Sequence, residues 1–151
     1  MKKILATMLL ASALAGCASM RPSMSFVAPE ITAPDAAKLA ADAAQWLAKP
    51  LPPARTTIVL DPPASSRQGD VMTPAMVEQL RASGFGVVQV PKGKDAPTPQ
   101  GVPVRFLVSP LDTGVLMRLQ YQGVEAARFY PRSTSGALVE AAPFTVREAG
   151  Q

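Results

Sequence analysis

Residues 102–131 read as three strands joined by two tight turns, and no other stretch restricts the fold of this chain as strongly. In the middle run, 114–123, Val115, Met117, Leu119 and Tyr121 alternate with Leu116, Arg118, Gln120 and Gln122. Successive strand side chains point to opposite faces, so such a run has one buried and one wetter face. A helix repeats near 3.6 residues and could not hold this pattern. The flanking runs 102–111 and 124–131 carry enough apolar residues to pair with it. Asp112-Thr113-Gly114 and Gln122-Gly123 supply turn chemistry between them. A small antiparallel sheet follows, and its apolar face needs a cover.

Two upstream segments can provide it. Residues 34–49 are rich in alanine, with leucine, lysine and glutamine, which favours a helix. Thr32 and Asp35 have capping-box spacing, Pro34 suits a first turn, and Pro50 forces an end. Leu39, Ala43, Trp46 and Leu47 fall on one side of this helix. A second helix starts at Thr73-Pro74, with Thr73 as N-cap, Met76, Val77 and Leu80 inward, and Gly84 as its left-handed stop. Residues 56–60 and 86–90 are β-branched and apolar and read as strands on either side of it. Residues 144–146 offer an edge strand. The expectation is an α+β domain of two helices and four or five short strands, in an order near α-β-α-β-β-β, with the helices on one face of the sheet. That order is similar to the small secretin-type modules of outer-membrane machines.

The amino-terminal end has a different character. Lys2 and Lys3 precede an apolar run from Ile4 to Ala15, the layout of a secretory signal peptide. The run is shorter than the roughly 20 residues that span a bilayer. Leu14-Ala15-Gly16-Cys17 resembles the bacterial lipobox. That resemblance implies a leader over residues 1–16, cleavage before Cys17, a diacylglycerol on its thiol, and an acyl chain such as palmitate on the new amine. Two or three acyl chains hold a protein to a membrane far more firmly than one, at about 0.8 kcal/mol per buried methylene. Ala18 stands where an aspartate would mark inner-membrane retention, so the resemblance implies the outer membrane. Residues 17–33 then read as a lipidated tether and 34–151 as a periplasmic domain. Phe26, Val27 and Ile31 are apolar beyond what a spacer needs. They either pack on the domain or add to a partner's sheet edge or groove.

Composition removes several functions. The chain has fifteen basic and eleven acidic side chains and no histidine. Loss of Lys2 and Lys3 with the leader lowers the net charge from +4 to +2, and no basic run remains to neutralise phosphates. Direct nucleic-acid binding is therefore not expected. Cys17 is the only cysteine, so a disulfide within the chain is excluded. No acid cluster has the spacing of a metal loop, and Asp61 and Asp112, which follow apolar runs, suit turns. The serines of "SSR" and "STSG" have no base and no nucleophile elbow. No catalytic residue, metal or cofactor is expected.

The layout as a whole resembles the TrbH-type conjugal transfer lipoproteins. It shares their overall length, the lipobox at Leu14 to Cys17, an alanine-rich helix before a proline break, and a strand–helix–strand block followed by β-rich sequence. The resemblance implies a non-catalytic, lipid-anchored outer-membrane component of a plasmid mating-pair apparatus, a type IV secretion system. Its partners would be other channel subunits. The alternative from the residues is a free-standing periplasmic envelope lipoprotein that binds a small ligand or peptidoglycan.

Overall fold

The structure, a computed structural model, describes residues 25–64, 69–90 and 99–148. In chain order the elements are β1 (Phe26–Val27), α1 (Ala33–Leu47), a 3-10 turn (Pro53–Arg55), β2 (Thr57–Leu60), α2 (Met72–Ala82), β3 (Gly86–Gln89), β4 (Val102–Leu111), β5 (Gly114–Tyr121), β6 (Val124–Pro131) and β7 (Thr145–Glu148). The class is α+β as expected, but the sheet has seven strands instead of four or five. Its order is β3-β2-β4-β5-β6-β7, with β1 also on β4. Strands β4 to β7 are antiparallel neighbours, whereas β1, β2 and β3 form parallel pairs. Parallel neighbours need a crossover, and α2 makes the one between β2 and β3.

Alternation places the core as the sequence suggests. Val104, Phe106 and Val108 of β4, Val115, Met117 and Leu119 of β5, and Ala126 and Tyr130 of β6 are buried on one face. They form one cluster with Leu39, Ala43 and Leu47 of α1 and Met72, Met76 and Leu80 of α2. Both helices therefore cover the same face of the sheet.

The two turns differ in how they work. Gln122 and Gly123 both have positive φ, at 46° and 75°, the pattern of a two-residue hairpin turn. In the other turn Asp112 takes the left-handed conformation at φ 48°, while Gly114 already belongs to β5. Gly114 is needed for space: a Cβ there would lie 2.3 Å from the Tyr130 carbonyl oxygen and 2.7 Å from the Phe129 ring.

At the start of α1 the expected capping box forms. The Asp35 N–H donates to Thr32 Oγ1 at 3.3 Å, and the Thr32 N–H donates to Asp35 Oδ2 at 3.2 Å. In α2 the expected N-cap is corrected. The helix begins at Met72, and Asp70 Oδ1 accepts from the Met72 and Thr73 N–H groups at 3.1 and 3.0 Å. A start before Thr73 turns its side chain inward, where its hydroxyl has no partner among the described residues. At the other end, Gly84 has φ 89°, the Gly84 N–H donates to Arg81 O, and the Phe85 N–H donates to Leu80 O. That pair of bonds is a Schellman motif, closed by the buried Leu80 and Phe85.

A polar seam ties α1 to β6. Asp42 Oδ2 accepts from Arg128 Nη1 at 2.6 Å and from the Tyr130 hydroxyl. Asp35 takes Arg132 in a fork, at 2.9 and 2.8 Å. Glu140 reaches back to Lys38 and to Arg128 Nη2, bringing the segment after β6 onto α1. Phe144 then stacks on Trp46 with ring centroids 5.1 Å apart, and Trp46 meets Tyr121 edge-on at 5.6 Å.

Removing one partner of a buried pair strands the other, which costs about 3–5 kcal/mol, whereas an apolar replacement of both is close to neutral. Asp42→Ala should therefore lower unfolding free energy in urea by about that much, and Asp42→Leu with Arg128→Met and Tyr130→Phe, which leaves no buried donor unpaired, should recover most of it. Asp35 adds a pH dependence. Burial pushes its pKa up, but the Arg132 and Thr32 bonds outweigh this and hold it below the usual carboxylate value. A depressed carboxyl pKa contributes stability above the unfolded value of about 3.9, and the contribution fades as pH falls through the folded pKa. The stability gap between the natural chain and Asp35→Asn, followed by Trp46 fluorescence, should be full at neutral pH and close below about pH 4.

Candidate functional site

The residues expected to meet a partner lie at the start of the described chain. Ser25 Oγ accepts the buried Phe106 N–H at 3.1 Å, and the Ala28 N–H donates to Val108 O at 2.9 Å. Between them β1 pairs parallel with β4, setting Phe26 opposite Leu107 and Val27 opposite Val108. The Ile31 N–H then closes a turn on Ala28 O, one residue before the α1 cap.

This placement splits the expected trio. Val27 is 7 % exposed and Ile31 is 5 % exposed, and both belong to the core. Phe26 is 51 % exposed and alone of the three faces outward. The period-2 switch at Ser25-Phe26-Val27 explains the difference: Val27 shares the helix-covered face with Val108, and Phe26 shares the other face with Leu107. The tether boundary is corrected accordingly. Residues 25–33 are part of the fold, held by β4 and the capping box. Residues 17–24, the leader 1–16, and Leu14, Ala15, Gly16 and Cys17 lie outside the described residues.

The α1–β6 seam gathers the most titratable groups. Its geometry suits a latch more than proton transfer. Asp42 is 8 % exposed and already accepts two donors. Burial and the Asp42 carboxylate push the Tyr130 hydroxyl far above its ordinary pKa, so it stays protonated and donating. Among the described residues no group of three or more His, Cys, Asp or Glu side chains could hold a metal ion.

Two of the surface hollows among the described residues lie beside elements already named. One of about 440 Å³ lies at the Gln122-Gly123 end of β4, β5 and β6. Its charged groups are engaged: Arg105 with Asp61 at 3.4 Å, and Glu125 with Gln120 at 3.0 Å. Another of about 480 Å³ runs beside residues 27–33 and is lined by Gly69 and Val71 opposite. It offers chiefly backbone and aliphatic groups.

No helix among the described residues is long and apolar enough to cross a membrane. No curated protein and no solved structure matches the chain significantly, so the likeness to secretin-type modules rests on element order alone. The model of the family described as conjugal transfer protein TrbH matches residues 19–149, taking in every element from β1 to β7. The family is one of conjugal transfer components. A match over that much of the sequence makes this chain a member of the TrbH family of conjugal transfer proteins.

Proposed function

We propose that the chain is a lipid-anchored outer-membrane component of a conjugative type IV secretion apparatus, with a structural role and no catalysis. The family match over residues 19–149 carries this reading, because it brings a conjugal transfer role to the whole folded part. The lipobox at Leu14 to Cys17 adds the anchor, and Ala18 adds the outer membrane. Acyl chains on Cys17 would bind the membrane, and other subunits of the channel would bind the domain.

The fold supports a role close to the bilayer. Seven residues, or eight Cα-to-Cα steps, link Cys17 to Ser25, where the domain begins to be held. A fully extended chain spans at most about 3.6 Å per residue, so such a link reaches about 29 Å. The domain would therefore stay at the membrane surface, within reach of subunits anchored nearby. Direct contact with the transferred DNA has no support from charge, since the sequence without its leader is close to neutral.

Replacing Cys17 with serine should move the protein from the membrane fraction to the soluble fraction. It should also abolish DNA transfer, while circular dichroism shows the domain still folded. Normal mating by a soluble Cys17→Ser protein would refute the anchoring role. Detergent extraction of the lipidated protein should bring out a large assembly of transfer subunits; a lone protein would favour the free-standing alternative.

A further inference from the structure

We infer that the sheet face turned away from the helices is a docking surface for an apolar segment of a partner protein that carries a carboxylate. The register defines this face. Phe26, Leu107, Arg118 and Ala127 form one row across β1, β4, β5 and β6. Ser109, Leu116 and Phe129 form the next. An antiparallel sheet with one solvated face normally carries polar residues there. Here Leu107, Leu116 and Phe129 are half-buried and Phe26 is exposed, and none of the four belongs to the core that the helices close.

The surface is flat as well as apolar. The Phe129 ring lies against Gly114, close enough that a Cβ at that position would meet it at 2.7 Å. It therefore covers the neighbouring strand instead of projecting from the sheet. A flat patch of this kind fits a packed protein segment better than a lipid layer, which is entered by projecting side chains.

Charge selects the occupant. Arg118 stands in the middle of the patch, half-buried, and has no carboxylate partner among the described residues. Arg105 on the same face is already tied to Asp61, and Glu125 accepts from Gln120. Arg147 of β7 adds a second cation to this face, opposite Glu125. A guanidinium over apolar surface is a strong anchor once a carboxylate meets it with two parallel bonds and water is excluded. A second copy of this chain is the wrong occupant: pairing two such faces would oppose Arg118 to Arg118 with few acids to answer them.

The inference rests on the conjugative reading only for where the partner is sought, in cells carrying the whole transfer system. The test places a photo-crosslinking residue at Leu107 or Leu116 of the full chain, and at Gln45 on the exposed side of α1 as a control. Both sheet positions should capture one transfer subunit through a peptide with an Asp or Glu among apolar residues, and Gln45 should not. Arg118→Glu should cut that yield about tenfold or more, the scale of losing a charge-assisted pair, with unfolding unchanged. Changing the captured peptide's acid to arginine should restore it. Capture of a second copy or of lipid, capture equal to that at Gln45, or a yield indifferent to Arg118→Glu would overturn the proposal. Capture does not depend on DNA transfer. If Cys17→Ser mates normally while the crosslinks form, the anchoring role falls and the docking face stands.

Discussion

Strand β4 runs through the middle of the sheet, and on one side no single strand reaches along all of it. Strand β2 pairs with its first residues, Val102 to Val104, and β1 pairs further on, at Leu107 and Val108. Buried backbone groups must find partners, so the gap between these two short strands has to be closed. Ser25 closes it by accepting the Phe106 N–H, and the Asp61 N–H reaches Val104 O from the other side. On its far edge β4 is paired with β5 without a break from Val104 to Leu111. The position of the amino-terminal segment follows from this arrangement. It is there because the central strand is longer than β2.

The second organising relation is between α1 and the carboxyl-terminal half. One helix face presents apolar residues to the sheet and two acids to β6 and its sequel. Arg128 and Tyr130 meet Asp42, and Arg132 meets Asp35. Apolar packing of alanines has little directional preference. Ion pairs do have one, and two of them along α1, the forked Arg132–Asp35 and the single Arg128–Asp42 bond, define how the helix lies over β6. The segment after β6 returns over the helix through Glu140 and Phe144, so the chain covers the seam it has built.

How much of this can be read in the sequence depends on the range of the interaction. The β4–β5–β6 meander was legible because its signals are local: period-2 alternation and turn residues between adjacent runs. The α1 cap was legible for the same reason, with Thr32 and Asp35 three residues apart. For α2 the Thr73-Pro74 pair signals a helix start, but the Asp70 carboxylate takes the Met72 and Thr73 N–H groups and the helix begins earlier, at Met72. Strand β1 was missed because it has two residues and its partner lies eighty-one positions on from Ser25. The apolar letters of Val27 and Ile31 were the signal, and they belonged to the core. Asp42 and Arg128, eighty-six positions apart, each look like surface charges until the fold brings them together. Likewise Leu116 and Arg118 read as a wet face, and only their register against Leu107 and Phe129 makes a patch of it.

The short strand that fills the gap beside β4 also has a mechanical consequence. Tension arriving from upstream of Ser25 enters the fold at β1, the element with the fewest backbone bonds to its neighbour. Next along the chain comes α1, which is clamped by the capping box and by Asp35 and Asp42. Under load β1 would peel away first, uncovering Val27 and Ile31, and the breakage would stop where Arg132 grips Asp35. The domain thus contains a sacrificial link of a few residues between whatever holds its amino-terminal end and the sheet that carries the rest.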